Sequence, residues 1–454
     1  MELAQYTSRL VKRSRPVSLL LLVHLIILFG AIVLGARMGS IAIGFAGGLG
    51  VLLLGATGVT VTAEDIPFDV IGIIMCVIAA ISAMQLAGGM DYLVYLAEKF
   101  LRSNPKRVTI YAPIVTWLMT VLAGTGHTAF STLPVIVEVA KEGKVRPSRP
   151  LSVAVIASQM AIVASPISAA VVFMAALLEP HGVGYLQLLA VMLPATFLAI
   201  FPTAWLANRL GRDLEDDPVY QQRVADGLVS TSHTSAGFSP KPGAKASVGI
   251  FLAAILIVMV YATLISEQIG LIPNPTVPRN EAIMAIMLSA AAVICWVTKS
   301  KSAEVLTTQV FRSGMSASVC VLGVAWLGTT FINHYIDDIQ VIAGDVLQAQ
   351  PWLLAVVLFF AACLLYSQAA TAKALMPAAL AIGVSPLTAV AAFPAVSALF
   401  VLPTYPTLLA AVEMDDTGST RIGKYVFDHP FIIPGIACIT TSILLGYGIG
   451  AVVL

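Results

Sequence analysis

Glycine, threonine, histidine and serine crowd into one short run of the chain, GTGHTAFSTLP, from Gly124 to Pro134. The run follows Val108–Ala123, an uncharged segment with the composition of a lipid-spanning helix. Backbone polar groups in a bilayer must be satisfied inside the protein, so a break is tolerated only where protein or a water-filled cavity surrounds it. Hydroxyl groups, free backbone amides and an imidazole at such a break would suit the binding of an anion.

A second run of the same kind lies in the other half of the chain. Ser367–Gly383 follows the apolar segment Trp352–Tyr366, and Tyr111–Pro134 aligns with Trp352–Pro377 when a two-residue insertion is allowed. Further along, RPLSVAV matches SPLTAVA and SPIS matches LPTYPT, in the same order and at nearly the same spacing. Ordered matches indicate an internal repeat. Each copy is predicted to contain one hairpin tip and one proline-interrupted helix.

The candidate substrate-binding residues are the polar, glycine and proline residues at these four breaks. They are Thr125, Gly126, His127, Thr128 and Ser131 at the first tip, Ser165, Pro166 and Ser168 in the first interrupted helix, Ser367, Gln368, Thr371 and Lys373 at the second tip, and Pro403, Thr404, Tyr405, Pro406 and Thr407 in the second interrupted helix. One such break alone more often reflects helix packing. Breaks at four repeat-related positions favour a single polar site at the membrane midplane.

Few charged residues lie inside these segments, and this limits the kinds of substrate that the segments could bind. Lys373 is the one Asp, Glu, Lys or Arg residue between Leu353 and Val412. It either faces a substrate carboxylate or lies near the hairpin end with its ammonium in water, and His127 either contacts the substrate or hydrogen-bonds to backbone. A cation transporter or proton relay would be expected to carry buried carboxylates. The hairpins carry none, so their donors suit an anion.

The composition excludes several classes of protein. The chain is 58% hydrophobic and 11% charged, whereas soluble proteins carry about 25% charged residues. A net charge of +1 gives no basic surface for nucleic acid. The five cysteines are scattered through apolar segments. Neither a metal-ligand cluster, a cofactor motif nor a nucleophile–base arrangement is recognisable, so we predict a protein in membrane lipid that is not an enzyme and uses neither a metal nor a cofactor.

Loop charges predict how the two copies lie in the membrane. Basic residues collect in loops such as those of Arg102 and Lys141, whereas the loops of Glu64 and Asp337 are acidic. If each broken region enters and leaves on one side, the basic loops share one face, which the positive-inside rule makes cytoplasmic. The copies then enter from opposite faces, as in an inverted repeat. The basic segment 11–15 disagrees, because it would lie outside.

The sequence therefore predicts an all-α polytopic membrane protein made of two inverted-topology repeats. The first repeat is residues 1–207, with a re-entrant hairpin at 124–140 and a broken helix at 151–178. Residues 208–245 form a polar cytoplasmic linker. The second repeat is residues 246–454, with a hairpin at 367–383 and a broken helix at 387–412.

Two further segments are interpreted without reference to a substrate. The glycine-rich IGFAGGLG, residues 43–50, lies in a span and is predicted to pack closely against another helix. The polar segment MDDTGSTRIGKY, residues 414–425, is predicted to be a plain solvated cytoplasmic loop. The alternatives for that loop are pairing with itself, a latch for a moving domain, or contact with a partner.

Several motifs resemble the anaerobic C4-dicarboxylate transporter (Dcu) family, part of a larger ion-transporter group. They are GTGHTAFSTLPVIVEVA, RPLSVAVIASQMAIVASPISAAVV, YSQAATAKALMPAALAIGVSPLTAVAA, LPTYPTLLAAV and TGSTRIGKYVF, and the likeness runs from about Leu28 to the C-terminus. The resemblance implies a homodimeric elevator with scaffold and transport domains. It also implies exchange or uptake of fumarate, succinate, malate and aspartate across a bacterial inner membrane. His127 stands where some members of the family carry asparagine.

Three functions remain open after this comparison of motifs. Sodium-coupled relatives carry Ser-Asn-Thr motifs at their hairpin tips, and this chain does not, which favours an exchanger over sodium coupling. A sodium- or proton-coupled symporter is kept as an alternative. The other alternative is a co-sensor that partners a membrane histidine kinase, with transport secondary. Its support in the sequence is the loop at residues 414–425.

Overall fold

The computed structural model describes residues 19–38, 41–66, 68–229, 240–265, 271–365, 367–402, 405–425 and 427–454. Within these ranges the chain forms helices joined by short 3-10 turns and loops, without a strand. The α-helices are α1 (Leu19–Met38), α2 (Ala42–Ala56), α3 (Phe68–Leu86), α4 (Gly89–Leu101), α5 (Val108–Ala123), α6 (Leu133–Glu142), α7 (Ser148–Ile162), α8 (Ala169–Leu178), α9 (Tyr185–Ala207), α10 (Pro218–Ala225), α11 (Ala244–Leu264), α12 (Arg279–Thr298), α13 (Gln309–Ala349), α14 (Leu353–Leu365), α15 (Gln368–Ala381), α16 (Pro386–Ala392), α17 (Pro406–Met414) and α18 (Ile432–Val453).

The helices are those of a multi-pass membrane protein. Among the described residues, five are long and apolar enough to cross a membrane: α9, α11, α12, the part of α13 from Val310 to Tyr335, and α18. The bent pair α3–α4 adds a sixth candidate. Large apolar side chains such as Leu256, Trp296 and Leu444 are exposed on these helices, as lipid-facing side chains should be. The predicted all-α membrane class is confirmed.

Helix α4 is not among the helices predicted from the sequence. This helix leaves α3 at an angle of 74°, at Gly88, whose φ of 83° is the left-handed conformation that glycine adopts readily. It carries charged residues, including Asp91 and Lys99, among its apolar ones. Spans were recognised as uninterrupted apolar runs, and an amphipathic helix does not have one.

The acidic segment at Asp337, which was predicted to be a loop, is helical. Helix α13 continues to Ala349 and is kinked at Tyr335, where φ is −110° and ψ is 15°. The side chains of residues 336–349 lie outside the described structure. Acidic composition was therefore a poor guide to where the helix ends.

Helix α7 is enclosed on all sides. Thirteen of its fifteen residues are buried, and it packs against α5, α9 and α18. Its sequence SRPLSVAVIASQMAI is rich in alanine and serine, whose small side chains let neighbouring helices approach closely. The last turns of α7 therefore lie in the interior of the protein.

The glycine-rich segment 43–50 forms a tight crossing of α2 with α13. A Cβ on Gly44 would overlap the Val319 carbonyl, a Cβ on Gly47 would overlap the backbone of Gly323, and a Cβ on Gly323 would overlap the backbone of Gly44. Only glycine permits backbones to approach so closely. The predicted close helix packing is confirmed.

The segment 414–425 is an ordered loop, so its prediction as a plain solvated loop is wrong. The buried carboxylate of Asp415 accepts hydrogen bonds from Ser419 Oγ at 2.8 Å and from the Thr420 N–H at 2.6 Å. Lys141 Nζ lies 2.9 Å from Asp416 Oδ2. Arg223 Nε donates to the Asp416 carbonyl at 2.8 Å. The loop thus pairs with itself and joins α6 to α10.

The described part of the predicted linker is folded too. It contains α10, and its Asp217 carboxylate pairs with Arg146 at 2.6 Å while Asp213 pairs with Arg149 at 2.8 Å. These pairs hold residues 213–217 against the loop before α7 and the start of that helix. The boundaries of the repeats and of the linker remain predictions.

Candidate functional site

The first predicted tip begins where α5 ends. Gly124 closes that helix with a φ of 67°, and its N–H donates to the Thr120 carbonyl at 2.8 Å. A 3-10 turn from Gly126 to Ser131 follows, and then α6. The break therefore begins at the predicted residue, although its second arm runs two residues beyond the predicted end at Ala140.

Hydrogen bonds within the tip occupy the Thr128 hydroxyl. Thr128 is buried, and its Oγ1 donates to the Thr125 carbonyl at 3.1 Å. Its partner on the other side is Thr120 Oγ1, at 3.0 Å. Thr125 and Ser131 are half-buried, and Gly126 is buried. The backbone of His127 belongs to the 3-10 turn, whereas its side chain lies outside the described structure.

The first interrupted helix breaks between α7 and α8. The Ser165 hydroxyl donates to the Val121 carbonyl of α5 at 2.7 Å. Ser168 caps α8 by accepting from the Val171 N–H at 3.2 Å, and it donates to the Ile162 carbonyl at 2.6 Å. The Pro166 carbonyl accepts the Tyr185 hydroxyl. Both serine hydroxyls therefore hold the break in shape, and they would donate to a substrate only by releasing these carbonyls.

The second tip lies between α14 and α15. Ser367 caps α15 by accepting from the Ala370 N–H at 3.2 Å. The Thr371 hydroxyl donates to the Ser367 carbonyl at 2.8 Å. Gln368 is buried and its Nε2 donates to the Gln159 carbonyl of α7 at 3.4 Å. The tip of the second half is thus bonded to the interior helix of the first half.

Lys373 is buried inside the protein. Its side chain is 7% exposed, and Nζ lies 5.3 Å from the centre of the Phe173 ring on α8. A lysine that reached water near a hairpin end would be far more exposed. Its burial favours the interpretation in which the ammonium faces the interior and attracts negative charge.

The second interrupted helix is described in part. Helix α16 is followed by a 3-10 turn, Phe393–Ser397, and α17 begins at Pro406. Pro403 and Thr404 lie outside the described residues. Tyr405 is half-buried at the start of α17 and Pro406 is exposed.

Thr407, in the first turn of α17, carries a buried hydroxyl without a hydrogen-bond partner in the described structure. A buried hydroxyl without a hydrogen-bond partner destabilises the folded protein by about 1–3 kcal/mol. Such an atom is available to a ligand.

These breaks come together around the last turns of α7. A Cβ placed on Gly126 would lie 3.4 Å from Ile162 Cδ1 and 3.8 Å from the Ser158 carbonyl oxygen. The Ser397 hydroxyl donates to the Gln159 carbonyl at 3.2 Å, beside the bond from Gln368. Helix α17 packs against both α7 and the turn of the first tip. One region in the interior therefore gathers residues from both tips and both interrupted helices.

Gln159 lies in this region and is not among the candidate residues predicted from the sequence. Its side chain is 1% exposed, and neither Oε1 nor Nε2 has a hydrogen-bond partner among the described residues. A buried amide without partners is costly, and protein interiors rarely keep one without a reason. An amide within an otherwise apolar and hydroxyl-bearing helix was the available signal. A search for glycine, proline and charged residues does not select a glutamine inside a helix.

Comparison with known proteins identifies the family. The sequence profile of the family described as "Anaerobic c4-dicarboxylate membrane transporter" matches residues 20–454. The chain belongs to this family. The resemblance noted from the motifs is thereby confirmed, and so is the prediction that the protein is not an enzyme, because the family is one of transporters.

The relatives are similar over nearly their whole length. The chain is 59% identical over 435 residues to the C4-dicarboxylate transporter DcuA of Wolinella succinogenes, covering 96% of this chain and 100% of that protein. It is 56% identical over 436 residues to DcuA of Escherichia coli K12, with the same coverage of both chains. The anaerobic C4-dicarboxylate transporter DcuB of Escherichia coli O6:H1 is 36% identical over 442 residues, covering 94% of this chain and 98% of that protein.

Proposed function

We propose that the protein is a secondary transporter that exchanges C4-dicarboxylates, such as fumarate, succinate, malate and aspartate, across the bacterial inner membrane. The names of its relatives support the substrate class. The observation that carries the proposal is the convergence of two hairpin tips and two interrupted helices on the end of α7. Such convergence at the interface of two halves is the arrangement expected of a transporter binding site.

The chemistry of this region suits a dianion. Among the described candidate residues at the four breaks, Lys373 carries the charged side chain, and it is buried. Unpartnered donors at Gln159 and Thr407 add hydrogen bonds without adding negative charge. A carboxylate that leaves water must recover the hydrogen bonds it loses. Buried amide, hydroxyl and ammonium groups supply them.

The two halves are proposed to be inverted repeats, related as residues 1–207 and 246–454. In support, each half gives the same order: a helix, a tip and a second helix (α5–α6 and α14–α15), then a helix interrupted near prolines (α7–α8 and α16–α17). We assign the glycine-packed α2–α13 crossing to the scaffold of a homodimer. The tips and interrupted helices form the transport domain that moves.

The proposal is tested with the full chain in proteoliposomes. Radiolabelled fumarate uptake is measured into vesicles preloaded with succinate, aspartate or buffer, with and without a sodium gradient, a proton gradient and a membrane potential. If the protein is an exchanger, uptake will require an internal dicarboxylate and will not depend on a sodium or proton gradient. Uptake into empty vesicles driven by either cation would contradict exchange and favour a symporter. No uptake under any condition would favour the co-sensor alternative.

A further inference from the structure

Hydrogen bonds hold the backbone of Gln159, whereas the polar atoms of its side chain have no hydrogen-bond partner in the described structure. Its carbonyl oxygen accepts from Gln368 Nε2 at 3.4 Å and from Ser397 Oγ at 3.2 Å, so both flanking elements hold its backbone. The amide at the end of the same side chain is buried, and both of its polar atoms lack partners in the described structure. Two donors and one acceptor therefore remain unused where the tips meet.

The donor and the acceptor of this amide suit different parts of a substrate. Nε2 can donate to a carboxylate, which every C4-dicarboxylate carries. Oε1 accepts only from an N–H or O–H group. Fumarate and succinate have neither, whereas aspartate carries an ammonium at C2 and malate a hydroxyl. A ligand with a donor at C2 satisfies both atoms of the amide, and a ligand without one leaves Oε1 buried and unpaired.

We propose that Gln159 recognises the substituent at C2 and makes the site prefer amino- and hydroxy-dicarboxylates over unsubstituted ones. The inference rests on the proposed function and adds the determinant of its substrate ranking. Other nearby groups are less suited to this role. Thr128 and Ser168 already donate and accept within the protein. The unpartnered Thr407 hydroxyl complements Gln159 by donating to a carboxylate.

The test compares two ligands of nearly equal shape on the wild-type transporter. Malate and 2-methylsuccinate are each titrated against radiolabelled succinate uptake in proteoliposomes. The hydroxyl can donate to Oε1 and the methyl group cannot, so malate is expected to compete at least about fivefold better. Gln159→Met keeps the length of the side chain and removes its donors and acceptor. In this variant the two ligands are expected to compete within about twofold of each other.

Ser152→Ala is the matched control. Ser152 lies two turns before Gln159 on the same face of α7, is equally buried, and donates to the Arg149 carbonyl of its own helix. Its variant should keep the preference of the wild type for malate. Succinate uptake by the wild type without a preference for malate would overturn the inference and leave the proposed function standing. A preference for malate that persists in Gln159→Met would also overturn the inference and leave the proposed function standing. No dicarboxylate uptake by the wild type would overturn both the inference and the proposed function.

The comparison of ligands on the wild type does not depend on whether Gln159→Met folds. Aspartate against succinate provides a second pair, in which the donor carries a positive charge. Its advantage should also fall in Gln159→Met, and an unchanged aspartate advantage would contradict the role of Oε1.

Discussion

At the scale of single residues, the polar side chains at the breaks have two different roles. The Ser165 and Ser168 hydroxyls donate to carbonyls near the ends of α5 and α7, and the Thr371 hydroxyl donates to the Ser367 carbonyl, which also accepts the Thr371 N–H. The Gln159 amide and the Thr407 hydroxyl are buried without such partners in the described part of the chain. Residue type alone does not show which of the two roles a side chain has. The role depends on which carbonyl lies within reach of each hydroxyl.

Lys373 provides the prediction for charge. Replacing it with methionine keeps the length and apolar stem of the side chain and removes the ammonium. A charge-assisted hydrogen bond contributes about 1.5–3 kcal/mol, so the half-saturating fumarate concentration of Lys373→Met should rise by about tenfold or more. Initial rates of uptake at varied fumarate concentration measure this change.

Lys373→Arg is the control, because it keeps the charge at that position with a different shape. Its affinity for fumarate should lie closer to that of the wild type than does that of Lys373→Met. Near-normal affinity in Lys373→Met, in protein that elutes normally on size exclusion, would show that neutral donors suffice.

At the scale of helices, apolar composition was sufficient to predict some bounds and insufficient for others. The apolar runs Phe68–Leu86, Val108–Ala123 and Tyr185–Ala207 coincide with α3, α5 and α9, because charged residues, glycine or proline flank each run. Helix α4 was missed because it is amphipathic, and α10 because it lies in a polar segment. The tips were found from glycine and hydroxyl residues next to apolar runs. Which helix they pack against depends on contacts between distant segments, which a single sequence does not show.

The glycine crossing of α2 and α13 gives a prediction of stability. Gly323→Ala places a methyl group into the backbone of Gly44, so the two helices must separate. Overpacking of this kind costs about 1–3 kcal/mol. The apparent midpoint of thermal unfolding in detergent, compared at one heating rate, should therefore fall.

Gly48→Ala is the matched control within the same motif. A Cβ on Gly48 would meet no atom within 4 Å, and alanine is the better helix former by about 1 kcal/mol. This variant should unfold at the wild-type temperature or above it. Equal effects of the two substitutions would contradict a role for backbone contact in the crossing.

At the scale of the whole molecule, hydrogen bonds and an ion pair join the two halves both around the end of α7 and at the loop of residues 414–425. Lys141 pairs with Asp416, and the Ser148 N–H donates to Ser419 Oγ at 3.0 Å. The halves are predicted from the sequence to be repeats joined by a linker. The charges and serines of these contacts were visible in the sequence, but their pairing across the halves was not, because it depends on how the two copies pack.

The Lys141–Asp416 pair is suited to a double-mutant cycle. Both side chains are partly buried, at 17% and 25% exposure. Lys141→Met and Asp416→Asn should each lower the unfolding midpoint, and the double variant should lose less than the sum of the two. The expected coupling is about 0.5–1 kcal/mol, since partial exposure screens the pair. Strictly additive effects would show that the pair contributes nothing to stability.

The hydrogen bonds to the Gln159 carbonyl have a consequence for how the protein is made. Their donors are translated long after the acceptor, since Gln368 follows it by 209 residues and Ser397 by 238. While the ribosome is still extending the chain, α7 has been translated but its Gln159 carbonyl lacks the donors that it has in the finished protein. The first half therefore cannot reach its final packing during synthesis. The contacts around the end of α7 therefore form only after the second half has been translated.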